Sequence, residues 1–111
     1  MNNSVLQKAL NHFLGKEGCP RLNCAQAVAV SYDTDDDLIM KFDGYGSGNA
    51  PDGWCGAAYS ASFLIKDSQI VEESFRNNAG AVICKDIRKL RQLSCLGCVE
   101  LATKLVQNTR I

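Results

Sequence analysis

The sequence has no net charge and a single histidine, and these two shortages exclude several classes of protein. Twelve basic side chains balance twelve acidic ones over 111 residues. The chain therefore lacks the positive excess of proteins that bind nucleic acid or anionic membranes. The one histidine, His12, falls at a surface or boundary position of a predicted helix, so a Ser–His or Cys–His catalytic arrangement has no support. We expect no nucleic-acid partner.

Long apolar runs are also absent. No stretch of the chain approaches the roughly 20 consecutive apolar residues of a membrane span. The N-terminal segment lacks the basic start, unbroken apolar core and small-residue cleavage site of a secretory signal peptide. We therefore predict a cytoplasmic protein with no membrane partner. The length and the apolar share of 46% predict one domain, residues 1–111, that buries a core without needing disulfides.

Cysteine is the residue that the chain has in excess. The six are Cys19, Cys24, Cys55, Cys84, Cys95 and Cys98. They make up about 5% of the chain, less than the roughly 8–10% of a disulfide scaffold. Because cytosolic thiols are kept reduced, clustered cysteines in that compartment indicate metal binding or redox chemistry. The alternative is that several of them are simply small buried apolar residues.

Apolar residues recur at helical spacing along most of the chain, which predicts an all-α fold. The candidate segments are 4–14, 24–32, 33–42, 54–66, 69–79, 81–93 and 95–108, with Ser68 and Ser94 as caps of the fifth and seventh and with Arg88 on the charged face of the sixth. Residues 27–30, AVAV, are also compatible with a short strand. Because each helix has one apolar stripe to bury, we predict a small all-α bundle of five or six helices.

A glycine-rich loop, residues 43–53, precedes Cys55. It does not complete the G-x-G-x-x-G fingerprint, because Asn49 occupies the third glycine position and no strong strand comes first. We therefore predict a loop that passes close to a cysteine centre rather than a nucleotide site. The acidic residues at 33–37 are interpreted as a solvated helix start rather than a metal site.

Most of the cysteines fall on or beside the apolar stripes of predicted helices, namely Cys24, Cys55, Cys95 and Cys98. Converging thiolates in the bundle interior are unfavourable unless a cation neutralises them or they pair as disulfides. The last two form a CxxC, which is common in zinc, iron–sulfur and dithiol sites. A zinc-stabilised structural or interaction module remains an alternative, with the metal held by Cys19, Cys24, Cys95 and Cys98.

Several short motifs together resemble the C-GCAxxG-C-C family of proteins to which a redox role is assigned. They are Asn23-Cys24-Ala-Gln-Ala-Val28, the glycine run, Cys55-Gly56-Ala57, Cys84 and Cys95-x-x-x-Val99-x-x-Ala102. The resemblance covers roughly residues 12–106. It implies a small helical domain of bacteria or archaea, and it extends to the helical part of split-Soret cytochromes, where an iron–sulfur centre accompanies the haems.

The resemblance also implies a site. Its four cysteines fall on Cys24, Cys55, Cys84 and Cys95, with the additional Cys98 as an alternative fourth ligand. It implies a redox-active or electron-transfer protein whose cysteines bind an iron–sulfur cluster or cycle between thiol and disulfide.

Two features of the sequence qualify the resemblance. Ser60 replaces the last glycine of the CGAxxG motif, which weakens the expectation of close helix packing at that point. Cys98 is followed by Val99 rather than histidine, and the chain has no haem attachment sequence, so we expect no haem. The sequence identifies no redox partner, and it leaves a homodimer open.

Overall fold

Seven α-helices make up most of the chain in a computed structural model that describes residues 3–16, 18–19, 21–32, 36–45 and 50–109. They are α1 (Asn3–Leu14), α2 (Cys24–Ser31), α3 (Asp36–Lys41), α4 (Gly56–Ile65), α5 (Ser68–Ala79), α6 (Cys84–Leu90) and α7 (Cys95–Thr109). A single 3₁₀ turn, Pro51–Gly53, precedes α4. The all-α prediction is confirmed, and the predicted count of five or six helices was slightly too low. Within the described ranges, no helix has the length and apolar character needed to cross a membrane.

Helix α7 packs against α1, α2 and α4 and, over a smaller area, against α5. Its apolar stripe is buried at helical spacing through Cys98, Val99, Ala102 and Val106. The facing helices present mostly alanine. The fully buried alanines of α2 and α4 that share a core with α7 are Ala27, Ala57, Ala58 and Ala61, whereas Ala25 and Ala29 pack with Phe42 in a second cluster. Small side chains allow helix axes to approach closely, so α2, α4 and α7 pack tightly against one another.

A short extended segment precedes each of α4 and α6, and these two segments pair with each other. Trp54 and Ile83 form an isolated antiparallel bridge, and the N–H of Cys55 donates to the carbonyl oxygen of Val82 at 2.8 Å. The predicted helices 54–66 and 81–93 therefore both begin later than the sequence pattern indicates. The cause is this pairing, which satisfies the backbone in an extended conformation and follows the left-handed Gly80 that ends α5.

Hydrogen bonds from the amide side chains of Asn23 and Gln26 connect the start of α2 to the end of α3. Asn23 accepts a hydrogen bond from the N–H of Gln26, and Gln26 accepts one in return from the N–H of Asn23, which forms a capping box. The Nδ2 of Asn23 also donates to the carbonyl oxygens of Phe42 and Asp43, at 2.8 and 2.9 Å. The AVAV segment is accordingly helical. The predicted acidic residues 33–35 and the loop residues 46–49 lie outside the described residues.

Candidate cysteine centre

Four of the six cysteines lie at the start of a helix. Cys24, Cys84 and Cys95 are the first residues of α2, α6 and α7, and Cys55 is the residue immediately before α4. The structure thus places Cys55 at the N-cap of α4 rather than within the predicted helix. Backbone N–H groups of the first turn have no partner inside a helix, so each thiol lies where such donors are available.

The local sequence explains why these helices begin at cysteine. The extended backbone of Asn23 and its side-chain cap start α2 at the next residue. The bridge of Ile83 to Trp54 keeps Ile83 extended, so that α6 begins at Cys84. The hydroxyl of Ser94 accepts a hydrogen bond from the N–H of Gly97 at 3.0 Å and thereby caps α7, as the sequence predicts.

The fold brings five cysteines together around two adjoining cavities. Cys55, Cys84, Cys95 and Cys98 line the first, which has a volume of about 330 Å³. Cys24 and Cys95 line the second, of about 470 Å³. The thiol of Cys55 hydrogen-bonds with those of Cys24 and Cys98. Cys19, on the segment between α1 and α2, lines neither cavity.

These contacts make the buried thiols hard to ionise. Hydrogen bonding with Cys55, followed by burial, raises the pKa of Cys24 far above its ordinary range. At Cys55, the hydrogen bond from Cys24 favours the thiolate, but the one with Cys98 and burial outweigh it and raise the pKa to about 12. Burial also raises the pKa of Cys84 despite the opposing charge of Arg88. A nearby cation would be needed to hold these groups as thiolates at neutral pH.

The surroundings nevertheless contain groups that favour negative charge on sulfur. Backbone N–H groups of Ala57 and Ala25 donate to the Cys24 sulfur, and that of Ala58 donates to the Cys55 sulfur. The helix dipoles of α2, α4 and α7 act in the same direction. The Arg88 guanidinium lies beside Cys84 and hydrogen-bonds to Cys95, and the charge of Cys84 followed by this hydrogen bond raises the pKa of Arg88.

Gly56 is required for the contact between α2 and α4. A Cβ atom at this position would lie 2.6 Å from Cys24 Sγ and 2.7 Å from the carbonyl oxygen of Tyr45. Both distances are shorter than real Cβ contacts. The glycine that follows Cys55 is therefore needed for steric reasons, because only a residue without a side chain fits at position 56. Ser60, one turn later, is fully buried, so the helices pack closely around it, and its hydroxyl has no hydrogen-bond partner among the described residues.

Sequence reasoning missed the contribution of Arg88, which it assigned to the charged face of a helix. A signal for it was present, because Arg88 follows Cys84 by four residues and such pairs share one face of a helix. The contact of Ala57 with the Cys24 sulfur could not be found in this way, since it joins two helices that are distant in sequence.

All six cysteines are free thiols in the structure. Among the described residues, no group of three or more His, Cys, Asp or Glu side chains has the arrangement that holds a metal ion. A bound metal would thus require the thiols to draw closer together. No known protein family, curated protein or solved structure matches this chain.

Proposed function

We propose that this protein is a small cytoplasmic redox or electron-transfer protein that holds an iron–sulfur cluster through Cys24, Cys55, Cys84 and Cys95. The observation that supports this function is the convergence of four cysteines, each from the start of a different helix, on two adjoining cavities. Iron–sulfur clusters are held by four cysteine thiolates, so both the number and the type of donor fit. The same four positions carry the resemblance to the C-GCAxxG-C-C family, to which we propose that the chain belongs.

The electrostatics of the site also support the proposal. An iron–sulfur cluster supplies reversible one-electron transfer. The chain's own residues hold the sulfur atoms, donate N–H groups to Cys24 and Cys55, and place Arg88 beside Cys84 and Cys95. These groups offset the negative charge that thiolates bring into a buried site. Cys55 is only 5% exposed, whereas Cys95 is exposed and leaves one side of the centre open to a partner.

Thiol–disulfide cycling is the second candidate, and the contacts of Cys55 favour it. Its thiol hydrogen-bonds with those of both Cys24 and Cys98, so two cysteine pairs are already adjacent. The same contact makes Cys98 the alternative fourth ligand of a cluster. The zinc module has less support, because Cys19 lies outside the cavities that the other cysteines line.

The test is to purify the protein without oxygen and to measure iron, acid-labile sulfide and visible absorbance. Replacing Cys24, Cys55 or Cys84 with serine should abolish the absorbance, because each removes one of four ligands. Cys19→Ser is the matched control and should change nothing. Of Cys95→Ser and Cys98→Ser, the more damaging change identifies the fourth ligand.

Other outcomes would contradict the cluster. A colourless protein that contains zinc and loses it in Cys19→Ser would support the structural module instead. A metal-free protein that forms one reversible intramolecular disulfide, detected by mass spectrometry, would assign the redox chemistry to two of the thiols alone.

A further inference from the structure

The two cavities beside the thiols are lined by positive charge and by no described acidic residue. They meet at Arg88 and Cys95, which line both. Arg91 lines the first cavity and Arg21 lines the second. No Asp or Glu of the described chain lines either cavity, although acidic and basic residues balance over the whole sequence. This local excess of one sign favours an anionic ligand.

The first cavity also has an apolar wall. Ile87 and Leu93 line it together with the cysteines. Its volume of about 330 Å³, and the second cavity's volume of about 470 Å³, suit a small molecule rather than a flat protein surface. Arginine forms strong paired hydrogen bonds with carboxylates, and apolar side chains accommodate a hydrocarbon body. The lining therefore matches the two parts of an organic acid.

We propose that these cavities bind a small organic acid, with its carboxylate on Arg88 and Arg91 and its apolar body against Ile87 and Leu93, next to Cys95. The inference rests on the proposed redox function, since it names the class of small molecule that reaches the thiol centre. The backbone at Arg91 is consistent with a binding role, because its φ of 56° is a left-handed conformation that favours glycine. An arginine at this position brings a charge to the cavity despite that conformational cost.

The test uses the full-length protein as purified and isothermal titration calorimetry with two probes. Phthalate carries two carboxylates on an aromatic ring, and phthalamide has the same ring with uncharged amides. We expect phthalate to bind at least tenfold more tightly than phthalamide. Arg88→Gln should weaken phthalate binding about tenfold. Arg76→Gln is the matched control, because this exposed arginine on α5 pairs with Glu72 and lines neither cavity.

Arg91→Gly tests the role of the arginine charge in a variant that is expected to fold as stably as the unchanged protein. It removes the charge while placing glycine where the backbone is left-handed, so the melting temperature should not fall. We expect this variant to lose phthalate affinity about fivefold. Equal binding of the two probes, no phthalate binding, or full affinity in both arginine variants would overturn the inference. Phthalate binding by a protein without iron or redox-active thiols would instead contradict only the proposed redox function.

Discussion

At the scale of single residues, Gly56 determines how closely Cys24 and Cys55 approach. Cys55 and Gly56 are adjacent in sequence, and Gly56 begins α4 while Cys24 begins α2. Any side chain at position 56 would meet a thiol and a backbone carbonyl, neither of which is the far end of a flexible chain. The thiol centre therefore depends on a residue that has no chemical group of its own.

We predict that Gly56→Ala lowers the free energy of unfolding by about 1–3 kcal/mol, the usual cost of overpacking a buried site. The same variant should bind less iron, because Cys24 is displaced from Cys55. Urea unfolding and iron analysis would measure these effects. Gly44→Ala is the control, since no atom lies within 4 Å of its added Cβ. Its stability should stay within about 0.5 kcal/mol of the unchanged protein. Equal stability of both variants would contradict the steric role of Gly56.

At the scale of helices, local sequence signals predicted the elements that depend on local contacts. The predicted helix 95–108 is observed as Cys95–Thr109, because its apolar stripe and the Ser94 cap are both local. The helix predicted over 69–79 begins one residue earlier, as Ser68–Ala79, because its cap is Asp67 rather than the predicted Ser68, and Asp67 accepts hydrogen bonds from two N–H groups. The starts of α4 and α6 were predicted too early. They depend on a bridge between residues 29 positions apart, Trp54 and Ile83, which no local pattern reveals.

The tie between α2 and α3 gives a prediction for Asn23. Asn23→Ala removes the cap of α2 and two hydrogen bonds to the end of α3, so we expect it to lower the free energy of unfolding by about 2–3 kcal/mol. Asn23→Ser keeps an acceptor for the N–H groups of the first turn and loses the donated bonds without placing an oxygen against the two carbonyls, so its loss should be about half as large. Chemical denaturation of both variants would measure the difference. Identical losses would show that the cap contributes nothing.

At the scale of the whole molecule, the centre exists only in the folded chain. Its cysteines lie between positions 24 and 98, on α2, α6 and α7 and immediately before α4. The sequence predicted four of these cysteines as candidates, because their spacing resembles a known cysteine motif. It could not show that Cys98 joins them while Cys19 does not, since that outcome depends on how the helices pack.

Thiol burial predicts how stability depends on pH in the reduced, metal-free protein. Cysteine in an unfolded chain ionises near pH 8.5, whereas the pKa of Cys55 in the folded protein is raised to about 12. Between these values the unfolded chain binds fewer protons than the folded one, so stability falls as pH rises. The slope should reach about 1.4 kcal/mol per pH unit for each such thiol.

Urea unfolding between pH 7 and pH 10.5 would measure this dependence. The free energy of unfolding should be flat with respect to thiol ionisation below about pH 8 and should fall above it. Cys55→Ala is the informative variant, because it removes one thiol and leaves the other ionisable side chains in place. Its slope above pH 9 should be shallower than that of the unchanged protein. Parallel curves would contradict a raised pKa for this thiol in the folded state.

The place of α7 after the helices that pack against it also has a consequence for synthesis on the ribosome. α7 is made after the six other helices, yet α1, α2 and α4 all pack against it. The nascent chain therefore emerges with Cys24, Cys55 and Cys84 before the helix that completes their surroundings exists. During that interval these thiols are open to oxidation and to stray metal ions. Assembly of the centre must follow the release of α7 from the exit tunnel, and a chain stalled before Cys95 lacks the helix that completes the surroundings of its cysteines.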